Sequence, residues 1–151
     1  MNIKREFLVR PSNSLWIRFL RFNIFSNKKL QVGLEKVGLT PPQYYVLATL
    51  GYFGGLPFSE IGAKMMVTVS NLTGIVDRLE EKKLVVRERD KQDRRVIHVK
   101  LTDKGTKTYK TAIAAFEKTV ARVFSPLDEP EQKQLMHLIR KLLRGPQTSS
   151  T

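Results

Sequence analysis

The chain has 151 residues, no cysteine and two histidines, and its 27 Lys and Arg residues against 14 Asp and Glu residues give a net charge of +13. This length fits a single domain, the lack of cysteine excludes disulfide bonds and thiol chemistry, and two isolated histidines do not suggest a metal site. With neither a membrane-spanning apolar run nor a signal peptide in the sequence, we expect a cytoplasmic protein that needs no cofactor.

The basic excess favours a polyanionic partner, with nucleic acid ahead of an anionic membrane surface. A charged surface that only confers solubility is the alternative. Charge alone does not identify a mode of binding. The order of the predicted helices and strands gives that information.

Two helices are predicted in the first third of the chain. The first covers residues 12–37 and ends before Gly38, which suits a helix C-terminus. The second begins with Thr40 as N-cap, Pro41 at the first helical position and Gln43 completing a capping box.

A short helix over residues 57–65 and a longer one over 69–83 follow, joined by a tight turn in which Thr68 caps the longer helix. This arrangement is typical of a helix-turn-helix, although an ordinary solvated helix face is an equally good interpretation of the longer helix alone. Its outward face carries Ser70, Asn71, Thr73 and Gly74, then Asp77 and Arg78. Small polar residues there can approach base edges, and Asn71 suits adenine.

Two runs rich in β-branched residues, 85–89 and 96–101, predict a two-stranded hairpin in which alternation buries Ile97, Val99 and Leu101. The loop between the strands contains Lys91, Arg94 and Arg95, with Asp90 and Asp93 beside them. A β-ribbon tip rich in arginine suits the DNA minor groove, and Asp93 is placed to orient Arg95. A plain charged turn is the alternative.

The C-terminal third predicts a long helix capped by Thr102 and a last helix that starts with an Asp128–Glu131 capping box and stops at Gly145. Residues 146–151 are predicted to be disordered. The expected fold class is therefore mainly α, with a small two-stranded β-hairpin wing.

The terminal helices carry more large apolar residues than a surface helix needs, which favours a two-fold interface over packing within one chain, the alternative. These residues are Leu15, Trp16, Phe19 and Phe22 in the first helix and Leu135, Leu138 and Leu142 in the last.

The stretch 39–105 resembles the MarR family of bacterial winged helix-turn-helix regulators. The resemblance rests on residues 39–44, 59–62, 76–80, 93–95 and 101–105. It implies one domain over residues 1–145, with a DNA-binding lobe over 38–105 and dimerisation helices over 1–37 and 106–145.

The resemblance also implies a homodimer on a palindromic operator, with a repressor as the default and an activator equally compatible with the geometry. It places Ser70, Asn71 and Thr73 in the major groove, Thr68 and Arg78 near phosphates, and Arg95, together with Arg94, in the minor groove. It allows a small anionic or aromatic ligand between the interface and the DNA-binding lobe.

Two other functions compete with this one. No phosphate loop, nucleophile–base arrangement or carboxylate pair is recognisable, so we do not expect an enzyme. A basic architectural protein without sequence preference would share the charge but would not need the small polar face, and competition with random duplex separates the two.

Overall fold

The computed structural model describes residues 10–90 and 92–145, so the predicted disorder of residues 146–151 lies outside the described residues. Within that range the chain is mainly helical, with one small sheet. Its elements are α1 (Pro11–Glu35), α2 (Pro41–Phe53), β1 (Leu56–Pro57), α3 (Phe58–Met65), α4 (Val69–Glu81), β2 (Val85–Arg89), β3 (Ile97–Leu101), α5 (Asp103–Phe124) and α6 (Glu129–Leu143).

The predicted helix starts are present, because their capping side chains satisfy backbone N–H groups that have no partner within the helix. The Thr40 N–H donates to Gln43 Oε1 at 3.2 Å, and Thr102 Oγ1 accepts from the Gly105 N–H at 2.9 Å. At the start of α6, Asp128 Oδ1 accepts from the Glu131 N–H at 2.8 Å, and Glu131 Oε2 accepts from the Asp128 N–H at 2.9 Å.

The sheet has three antiparallel strands in the order β1-β3-β2, whereas the sequence predicted two. The expected hairpin is present, and β1 adds an edge by pairing Leu56 with Val99 and Pro57 with His98. A two-residue strand that contains a proline is too short to show alternation, which is why the sequence did not reveal it.

The buried side of β3 also differs in part from the prediction. Val99 is fully buried, but Ile97 is 37% exposed. Ile97 pairs with Arg89 at the far end of the hairpin, beyond the two residues that β1 covers. The end of the wing therefore projects from the lobe.

A single apolar core joins the helix-turn-helix to the sheet and to α5. Its fully buried side chains are Val46, Leu47, Ile61, Leu72, Val76, Leu79, Val99 and Ala112. Tyr44 of α2 stacks on Phe116 of α5 with ring centroids 4.6 Å apart. These contacts fix the position of α4 relative to α5.

The start of α5 is packed against the end of the segment that links α4 to β2. A Cβ at Gly105 would lie 1.9 Å from the Leu84 carbonyl oxygen, so only glycine fits there. The Thr102 N–H also donates to that carbonyl at 3.1 Å. The base of the wing, where β2 begins and β3 ends, is therefore held against the start of α5.

Several large apolar side chains of the terminal helices are exposed, although Leu30 and Leu34 of α1 are buried. Trp16 is 68% exposed and Leu142 is 67% exposed, and α6 has no buried residue. Among the residues that the structure describes, no helix is both long and apolar enough to cross a membrane.

Candidate nucleic-acid interface

Helix α4 separates its apolar and polar residues on opposite faces. Leu72, Val76 and Leu79 are buried in the core. The predicted DNA-contacting residues of this helix and its cap are all exposed, namely Thr68, Ser70, Asn71, Thr73 and Arg78. The structure thus brings these five residues to the surface of one short segment.

The N-terminus of α4 is held by its cap. Thr68 Oγ1 accepts from the Asn71 N–H at 3.4 Å, and Thr73 Oγ1 donates to the Val69 carbonyl at 2.9 Å. The Asn71 and Ser70 side chains therefore project from a fixed first turn. Gly74 lies next to them, and a Cβ there would meet nothing within 4 Å, so internal packing does not require glycine.

The wing loop presents Arg95 to solvent in a defined orientation. Its side chain is 91% exposed, and its Nε donates to Asp93 Oδ1 at 3.1 Å while Nη2 lies 3.3 Å from Asp93 Oδ2. The Arg95 backbone N–H donates to the same Asp93 Oδ1 at 3.0 Å. The predicted contact between Asp93 and Arg95 is therefore present, and Arg94 beside it is exposed.

The hydrogen bonds from Arg95 also affect the ionisation of Asp93. The Arg95 side chain, followed by its backbone N–H, lowers the pKa of the Asp93 carboxyl below its ordinary value. Asp93 therefore stays ionised and keeps its contact with the guanidinium well below neutral pH.

Sequence reasoning missed Arg87, which links the wing to α4. Its Nη1 lies 2.7 Å from Asp77 Oδ1 and also contacts Glu80 Oε2, and its backbone N–H donates to Glu80 Oε1 at 3.1 Å. The guanidinium lies over the Phe58 ring, 5.6 Å from its centroid. Asp77, which the sequence placed on the outward face, is thus turned toward β2. Asp77 and Glu80 are three residues apart and therefore share a helix face. This spacing was the signal that could have predicted one basic partner for both carboxylates.

An open cleft of about 1070 Å³ lies between α1, α2 and the helix-turn-helix. Its polar lining includes Asn23, Asn27, Tyr45, Lys64 and Asn71. Burial raises the pKa of the Tyr45 phenol, so this hydroxyl stays protonated as a hydrogen-bond donor. Within residues 10–90 and 92–145, no three His, Asp or Glu side chains are grouped so that they could hold a metal ion.

Comparison with known proteins identifies the lobe. The model of the MarR family matches residues 39–97. The HTH-type transcriptional repressor MdtR of Bacillus subtilis is 41% identical over 115 residues, which are 76% of this chain and 74% of that protein.

Two solved structures have the same fold. A MepR-like protein complexed with pseudoligands is 36% identical, with a TM-score of 0.66 over 83% of this chain and 90% of that one. A mutant of MarR from E. coli, complexed with operator DNA, has a TM-score of 0.81 over 91% of this chain and 97% of that one, at 23% identity.

Proposed function

The chain belongs to the MarR family of helix-turn-helix transcriptional regulators, and from that premise we propose that it is a homodimeric repressor of a palindromic operator in duplex DNA. The observation that carries the proposal is the link through Arg87, which joins α4 to the wing that presents Arg95. Two separate DNA-reading elements held in a fixed relation can dock on one duplex without first being ordered.

Helix α4 would read the major groove. Ser70, Asn71 and Thr73 are short polar side chains at the N-terminal end of a helix, where a recognition helix contacts base edges. Asn71 has the paired donor and acceptor that match adenine. Thr68 and Arg78 flank this face and would contact phosphates, which position the helix without reading sequence.

The wing would enter the minor groove. Arg95 is held by Asp93 and stands free of the protein surface, and Arg94 adds a second exposed guanidinium. The negative potential of a narrow A·T-rich minor groove attracts such side chains. We therefore expect A·T-rich sequence where the wings contact the operator.

The terminal helices would form the two-fold interface. Leu15, Phe19 and Leu138 are about half exposed, and Trp16 and Leu142 more so. Large apolar side chains exposed in this number are typical of a protein–protein interface. A dimer would present two copies of α4 to successive major grooves, about 10–10.5 bp apart.

A small anionic or aromatic ligand in the cleft of about 1070 Å³ would regulate binding. Lys64 supplies a positive charge for a carboxylate, and Asn71 belongs both to the cleft lining and to the exposed face of α4. A bound ligand would therefore contact a residue that reads DNA. The 36% identical MepR-like protein was solved with pseudoligands, which supports a ligand of some kind.

Selection from a randomised duplex pool at physiological salt tests the function as a whole. We expect retained sequences to contain an inverted repeat with half-sites one helical turn apart. Retention without any enriched motif would contradict the proposal and favour the non-specific architectural function, since the charge of +13 alone binds phosphates.

A further inference from the structure

We propose that Asp90, together with His98, is the positioning residue that fixes the wing loop so that Arg95 is aimed before DNA is bound. This inference rests on the proposed role of the wing and goes beyond it, because Asp90 itself would not touch DNA.

Asp90 closes the loop with both its backbone and its side chain. Its N–H donates to the Val96 carbonyl at 2.9 Å. Its Oδ1 accepts from the Gln92 N–H at 2.8 Å and from the Asp93 N–H at 2.9 Å. One carboxylate oxygen thus satisfies two backbone donors and fixes where the backbone of Asp93 lies.

The second carboxylate oxygen of Asp90 contacts the sheet. Asp90 Oδ2 lies 3.4 Å from His98 Nε2, and His98 belongs to β3, where it pairs with Glu88 on one side and Pro57 on the other. His98 is therefore on the central strand of the sheet, and the contact connects the loop to the most firmly held part of the wing.

A chain of polar contacts consequently runs from β3 to the DNA-facing side chain. His98 contacts Asp90, Asp90 holds the Asp93 backbone, and the Asp93 carboxylate holds the Arg95 guanidinium and N–H. Apolar packing cannot order Arg95, because its side chain is almost fully exposed. An arginine that is ordered in advance loses less conformational freedom on binding.

The ionisation of Asp90 is consistent with this role. The N–H groups of Asp93 and then Gln92, with a smaller contribution from His98, lower the pKa of the Asp90 carboxyl below its ordinary value. The carboxylate is therefore the form that the loop stabilises.

The test is a double-mutant cycle between Asp90 and Arg95, with operator affinity as the readout. Electrostatics alone predicts that Asp90→Ala binds DNA more tightly, because it removes a negative charge near phosphates. Our proposal predicts the opposite sign: a loss of about two- to tenfold, the cost of ordering one long side chain at an interface. Glu81→Ala, which removes an exposed carboxylate at the end of α4, is the matched control and should show no loss.

In an Arg95→Ala background, Asp90→Ala should cause no loss of affinity, because the side chain that Asp90 positions is absent. Asp90→Asn should recover part of the affinity, since an amide oxygen still accepts from the two N–H groups. An equal loss in both backgrounds, or tighter binding by Asp90→Ala in the otherwise wild-type chain, would overturn the proposal. If Arg95→Ala itself leaves affinity unchanged, the wing does not contact DNA, and the proposed function fails at that point instead.

Hydrogen exchange on the free protein gives a readout that does not depend on the stability of Asp90→Ala. The Gln92 and Asp93 amides should be protected in the wild-type chain and should exchange faster in Asp90→Asn, whose neutral oxygen is the weaker acceptor. Unprotected amides in the wild type would also overturn the proposal.

Discussion

Arg87 of β2 reaches Asp77 of α4, with its Nη1 2.7 Å from Asp77 Oδ1. The same guanidinium contacts Glu80 one turn further along α4 and lies over the Phe58 ring of α3. One arginine thus joins both helices of the helix-turn-helix to the wing. These contacts therefore link the two proposed DNA-reading elements directly.

Arg87→Met tests this link. We expect weaker operator binding and a lower melting temperature, because Asp77 and Glu80 lose their shared partner; partial exposure limits the stability loss to about 1 kcal/mol, which is roughly 2–4 °C. Arg89→Met is the matched control, since it removes the same charge from an exposed position on the same strand. Calorimetric melting and titration of labelled operator give the two quantities. Equal effects of both variants would mean that only the charge matters.

Asn71→Ala tests base reading by α4. The proposed adenine contact predicts that discrimination at one position of each half-site falls by roughly 1–3 kcal/mol, while binding to random duplex is unchanged. Arg78→Ala, which we assign to phosphate, should instead weaken specific and random binding alike and reduce the salt dependence. Affinities measured on an operator with single-base substitutions distinguish the two patterns. A uniform loss for Asn71→Ala would remove its specificity role.

The sequence predicted the helices, their caps and the hairpin because these features are encoded locally. Thr40, Thr102 and Asp128 each cap the helix that directly follows them. The contact between Asp93 and Arg95 was predictable for the same reason, since only one residue lies between the partners.

The contacts that the sequence did not predict join distant segments. Arg87 meets Asp77 on the preceding helix, His98 meets Asp90 across the wing loop, and β1 pairs with a strand that lies beyond two intervening helices. Such partners are brought together by the tertiary fold, and local spacing shows at most which residues share a helix face, as Asp77 and Glu80 do. Ile97 illustrates the same limit, since alternation placed it correctly on a face of the strand but could not tell where the lobe beneath that face ends.

Deprotonation of the Tyr44 phenol should lower the stability of the fold in alkaline solution. Burial, followed by Tyr109, Glu117 and Tyr45, raises the pKa of this phenol to about 12. A raised pKa means that the protonated form is favoured in the folded state, so this stabilisation is complete below about pH 10 and is lost as pH rises toward 12. Tyr44→Phe keeps the stacking on Phe116 and should flatten this alkaline decline in the free energy of unfolding. Tyr52→Phe, at a position that is 80% exposed, is the control and should leave the decline intact.

Phe19→Glu tests the two-fold interface. A charge placed on the proposed interface surface of α1 should shift the chain from dimer to monomer, because the carboxylate would be buried without a partner. Tyr52→Glu is the matched control, since it places the same charge on an exposed aromatic position outside that surface. Light scattering after size-exclusion chromatography measures the mass. A Phe19→Glu variant that remains dimeric would mean that the subunits associate elsewhere.

The variant Gly74→Ala tests whether the glycine at the centre of α4 serves DNA binding rather than folding. A Cβ there meets no atom of the protein, and alanine is favoured over glycine in a helix interior by about 1 kcal/mol, so the variant should melt at a higher temperature. If α4 lies in the major groove, the added methyl group faces the bases beside Asn71 and Thr73, and affinity for the operator should fall. A variant that is more stable and yet binds the operator more weakly would indicate that glycine is needed for the close approach of α4 to DNA. Unchanged affinity in a stabilised variant would instead place this part of α4 away from the DNA.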